Sequence, residues 1–75
     1  MTELELANEL KTMYEAGIKR KEQTTMIHLF GIKYAEVIRM NGYIPKDILK
    51  YAEMPESYQV EINKGIKLAR YVKIK

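Results

Sequence analysis

Pro45-Lys46-Asp47-Ile48-Leu49-Lys50-Tyr51-Ala52-Glu53-Met54-Pro55-Glu56-Ser57-Tyr58-Gln59-Val60-Glu61-Ile62-Asn63-Lys64-Gly65 carries two short apolar groups divided by a proline. Proline is favoured in the first turn of a helix, where its missing N–H costs nothing. Pro45 therefore opens a helix over about 45–53, with Ile48, Leu49 and Ala52 on its buried side. Met54-Pro55-Glu56-Ser57 breaks it, because a residue before proline is pushed out of the α region. Ser57, or Pro55 acting in the first turn, starts a second helix over about 56–64, where Tyr58 and Ile62 stand four apart and face inward together. Asn63-Lys64-Gly65 closes it. Two short helices separated by about four residues make a bihelical unit with one buried and one outward surface.

Upstream, Met26 to Met40 is apolar nearly all round (Ile27, Leu29, Phe30, Ile32, Tyr34, Ala35, Val37, Ile38), which predicts a helix buried on more than one face. In a chain of 75 residues this is either the central helix or one that also faces a second subunit. Gly31 inside it costs roughly 1 kcal/mol relative to alanine, and close approach of another helix would account for it. Thr24 or Thr25 can cap the start, and Asn41-Gly42 ends it. Thr2 with Glu5 is a capping box, and Leu6, Ala7, Leu10, Met13 and Tyr14 follow at helical spacing. The first helix is read as 3–16, with Gly17 as its stop. Downstream, residues 66–71 form a short turn or helix, and 71–75 are either a short strand or a frayed end. The fold class is all-α: a compact bundle of four to five short helices in a single domain, 1–75.

Composition narrows the function. Apolar residues make up 47%, which is globular rather than disordered. Roughly 60–65% of the unfolded surface can be buried at this size, so the core is small and single. There is no cysteine, so disulfides, thiolate metal sites and a cysteine nucleophile are excluded. No apolar run approaches the ~18 residues of a membrane span. An N-terminus rich in acids (Glu3, Glu5, Glu9) argues against a signal peptide. These features point to a soluble, cytoplasmic protein.

Charge is uneven. Residues 1–37 carry 5 bases and 6 acids, while 38–75 carry 8 bases and 4 acids. Lys64, Lys67, Arg70, Lys73 and Lys75 have no acid among them. A basic end on a near-neutral body suits a polyanion such as nucleic acid; the alternative is a solvated cationic face with no particular partner.

Ile48-Leu49, Ala52 and Met54, followed by Ile62-Asn63-Lys64-Gly65, carry a resemblance. This stretch resembles the helix-turn-helix core of phage-repressor-type regulators. Almost the whole chain, notably Met26–Ala35 and Glu61–Val72, is similar to a group of small bacterial proteins described as helix-turn-helix-like. The resemblance implies DNA binding, with Ser57, Val60, Glu61 and Lys64 outward on the recognition helix and Pro55 and Glu56 at its edge. Three residues depart from the repressor pattern. Leu49 stands where a small residue is usual, Glu53 where the turn has glycine, and Gln59 where an aliphatic is usual. Leu49 would hold the two helices apart, and Glu53 would need a backbone angle that favours glycine. Glu56 and Glu61 would face phosphate, although a glutamate can accept from cytosine N4.

Lys67, Arg70 and Lys73 continue from Lys64 at a spacing of three, which keeps them near one helix face as phosphate contacts. Leu29, Gly31 and Ile32 offer a dimer surface, since a short recognition helix normally needs two half-sites. Catalysis has little foothold. Glu9, Glu15, Glu22 and Glu36 make no recognisable carboxylate pair, and the isolated glycines make no phosphate loop. His28, the single histidine, lies between Ile27 and Leu29 and reads as a structural or surface residue rather than a ligand. The six tyrosines read as half-buried core edges rather than a stacking platform. The expectation is a dimeric DNA-binding regulator with double-stranded DNA as partner. It has no catalytic residue, metal, cofactor, small-molecule substrate or membrane association. A protein–protein adaptor is the alternative.

Overall fold

The computed structural model describes residues 1–72. Every regular element among them is helical: α1 (Glu3–Lys19), α2 (Gln23–Asn41), α3 (Pro45–Tyr51), a 3₁₀ turn (Glu56–Tyr58) and α4 (Gln59–Leu68). The fold is an all-α bundle. The central helix is α2, which packs against both α1 and α4, and α3 bridges those two flanking helices. The all-round apolar pattern of α2 is thus explained within one chain. The core takes Leu6, Ala7 and Leu10 from α1, Ile27, Phe30 and Ile38 from α2, Ile48 and Leu49 from α3, then Ala52 and Ile62. Each fully buried leucine, isoleucine or phenylalanine side chain there contributes about 2 kcal/mol relative to exposure. No helix among the described residues is long and apolar enough to cross a membrane.

The Thr2–Glu5 capping box forms as expected. Other boundaries differ. The first helix runs on through Gly17 to Lys19, because Gly17 is a packing position and not a stop. A Cβ there would meet Met26 Cγ at 2.7 Å and the Glu22 carbonyl at 3.0 Å. The second helix starts earlier, at Gln23, with Glu22 as its cap and no side-chain cap bond, so neither threonine caps it. Gly42 ends it in the left-handed region, φ 67°. The third helix stops at Tyr51, short of the predicted 53. The fourth begins as the 3₁₀ turn and then continues as α-helix through Gly65 to Leu68, absorbing part of the expected separate turn. Val72 N–H still bonds back to Leu68 at 3.0 Å, while the strand-or-frayed question at the C-terminus falls mostly on residues 73–75, outside those described.

Gly65 stays helical because it is where α4 touches α2. A Cβ on it would lie 2.3 Å from the His28 carbonyl oxygen and 3.0 Å from Gly31 Cα. Gly31 is its counterpart: a Cβ there would lie 2.6 Å from the Ile62 carbonyl oxygen. The close approach expected at Gly31 is thus present, backbone against backbone. Four of the tyrosines (Tyr14, Tyr34, Tyr43, Tyr58) pack at the edge of the core. Tyr14 and Tyr58 share a hydroxyl–hydroxyl hydrogen bond of 3.2 Å, and Tyr43 donates to the Met1 carbonyl at 2.8 Å.

Candidate nucleic-acid interface

Helix α4 buries Ile62 and Gly65 and turns its opposite side to solvent. Val60, Lys64, Lys67 and Tyr71 follow at steps of four, three and four, so they form one outward stripe running into the turn after the helix. Val60 is 54% exposed and Tyr71 82%. Ser57 is exposed on the 3₁₀ turn that leads in. Arg70 is exposed just past α4. With Lys67 it borders a groove floored by Ile32, Ala35, Ile66 and Ala69, between the second half of α2 and the end of α4. Lys73 lies outside the described residues. Of the three residues read as a dimer surface, Leu29 and Ile32 are half-buried, and Gly31 is buried against Gly65 of its own chain.

Both acids that the sequence puts on this side are paired. Glu56 accepts from Lys46 of α3 at 2.9 Å, between two well-exposed side chains, and the carboxylate raises Lys46 above the usual lysine range. Glu61 is half-buried and turned toward α2, where its Oε2 accepts a hydrogen bond from His28 Nε2. Lys64 Nζ approaches its other oxygen at 3.7 Å. The His28 bond holds the Glu61 carboxyl below the usual carboxylate range; burial opposes it, and the Lys64 charge assists.

The linker between the two helices has the geometry the sequence implied. Glu53 adopts φ 57°, the left-handed region that favours glycine. The Met54 N–H returns to the Leu49 carbonyl at 3.0 Å, closing the turn. Leu49 itself is fully buried, so its extra bulk over a small residue is taken up in the core. Among the described residues, no three carboxylate or histidine side chains converge to hold a metal ion.

The profile of the HTH-like domain family matches residues 2–75. The chain belongs to the HTH-like domain family. No curated protein and no solved structure matches it. In this HTH-like domain, α3, the Glu53 turn and α4 are the bihelical unit, and α2 supplies the platform beneath α4. Sequence reasoning missed two features of its outward side. Tyr71 continues the Val60–Lys64–Lys67 spacing, a signal available in the sequence had the helix been carried past Gly65. The His28–Glu61 pair joins residues on different helices, and no local pattern announces it.

Proposed function

We propose that this HTH-like domain, a single domain over 1–75, binds double-stranded DNA through the outer side of α4. It does so without catalysis, as a cytoplasmic transcriptional regulator. In this reading α4 docks as the recognition helix of phage-repressor-type regulators does. Ser57, Val60 and Lys64 meet base edges, Glu61 stands at their flank, and Lys67, Arg70 and Lys73 contact phosphates. The observation that carries the reading is the outward stripe of α4: it presents lysines to solvent while both nearby carboxylates are held by cationic or N–H partners. Two copies on neighbouring half-sites would supply the specificity that one short helix lacks.

The test is a two-dimensional amide NMR titration with a mixed-sequence duplex of about 20 base pairs, enough for two half-sites. Shifts confined to Pro55–Tyr71 that collapse with added salt support the reading. A spectrum unmoved at low salt removes it. The double reversal Lys67→Glu with Arg70→Glu is expected to weaken binding at least tenfold while leaving the circular dichroism spectrum unchanged.

A second reading, a protein–protein adaptor, draws on the exposed Val60, Leu68 and Tyr71 beside the lysines. Exposed apolar residues grouped on one side mark an interaction surface of some kind. Under that reading the charge reversal leaves DNA out of account and changes only a protein contact.

A further inference from the structure

Glu61 is the single acid of α4. It stands one turn before Lys64, at the flank of the outward stripe, where a free carboxylate would oppose phosphate and compete for that lysine. It is not free. His28 reaches it from α2, and the two side chains are 29% and 23% exposed, against 60% for Lys64. The reach is set by the backbone: the His28 carbonyl lies against Gly65 so closely that no Cβ fits between them. The contact of α2 with α4 therefore places the imidazole beside Glu61 rather than leaving the meeting to side-chain flexibility.

We propose that His28 is a positioning residue for nucleic-acid binding: it holds the Glu61 carboxylate against α2, so that Lys64 keeps only a loose 3.7 Å contact with it and stays available to DNA. This rests on the DNA-binding reading given above. Without the imidazole, Glu61 has one partner left, the Lys64 ammonium at i+3, a spacing at which helical ion pairs form readily. The lysine is then drawn closer to the carboxylate, and the negative charge already on Glu61 is no longer held against α2 but turns toward the docking side. A merely structural histidine would affect stability but would leave the charge presented by α4 unchanged.

Fluorescence anisotropy with a mixed-sequence duplex tests this at about 50 mM and about 200 mM salt, using wild type, His28→Ala, Glu61→Gln and the double variant. His28→Ala is expected to bind roughly 5- to 30-fold more weakly at the lower salt, with the gap shrinking at the higher. Glu61→Gln should bind at least as tightly as wild type, and the double variant should match Glu61→Gln. If alanine unfolds the chain, His28→Leu keeps the bulk, removes the donor and takes its place with the same expected outcome. A histidine variant that binds like wild type overturns the proposal, and so does a loss that Glu61→Gln fails to rescue. Wild type that binds no duplex fails the parent reading and this inference with it; wild type that binds while His28→Ala matches it fails this inference alone.

Discussion

The bond from His28 has a thermodynamic consequence of its own at Glu61. The folded carboxyl titrates below its ordinary value of 4.5 because the imidazole N–H favours the ionised form more than partial burial opposes it. A carboxyl depressed by folding contributes stability above its unfolded value and loses that contribution as pH falls through the lowered folded value. The melting-temperature gap between wild type and Glu61→Gln should therefore be level near neutrality and close as the pH falls below 4.5. A gap that stays level well into acid would mean that the ionised pair contributes nothing. Residue-scale features were unevenly legible. The awkward backbone at Glu53 followed from a glutamate standing in a turn that favours glycine, and its φ of 57° agrees. His28 gave no such sign, because its meaning depends on a partner 33 residues away on another helix.

At the scale of the helices, the crossing of α2 over α4 is set by two glycines. Alanine would favour either helix by about 1 kcal/mol on propensity alone. Sterics oppose it and win. The atom nearest a Cβ on Gly65 is the His28 carbonyl oxygen at 2.3 Å, which belongs to backbone and cannot rotate aside. Overpacking of this kind typically costs about 1–3 kcal/mol, and the 2.3 Å approach puts this site at the upper end, so Gly65→Ala should lose about 2 kcal/mol net of propensity. For a domain of this size that is a large share of the whole, roughly 4–11 kcal/mol. Urea denaturation should show a lower midpoint at unchanged slope; equal midpoints would mean that the helices separate cheaply. All four helices were legible from apolar spacing and proline position. The starts at Glu3 and Pro45 and the stop at Gly42 were legible too, but other ends were not, because glycine reads the same whether it stops a helix, as Gly42 does, or admits a neighbour, as Gly17 and Gly65 do. Only the packing partner distinguishes the two uses.

Over the whole molecule, the same groove draws together two surfaces that the sequence kept apart. Ile32, part of the expected dimer surface, lines it together with Lys67 and Arg70, the expected phosphate contacts. A second copy seated on Ile32 would cover those cations, and Gly31 is already occupied by α4. Dimerisation through this groove and phosphate binding through it are thus alternatives, and a dimer that keeps the cations free must meet elsewhere. Salt dependence separates the cases. Each phosphate neutralised on duplex DNA contributes about −0.9 to the slope of log affinity against log salt. Lys67, Arg70 and Lys73, the proposed phosphate contacts, give a slope of roughly −3 when one copy binds, and two copies bound together through a different surface give roughly −5. A slope near zero would mean that none of these cations meets phosphate. Measured with sedimentation of the same complex, a slope near −3 with one copy bound is the expected outcome if the groove is the only surface through which two copies can join. A slope near −5 with two copies bound would place the dimer contact away from Ile32. In that case Ile32→Glu should leave both the slope and the stoichiometry unchanged.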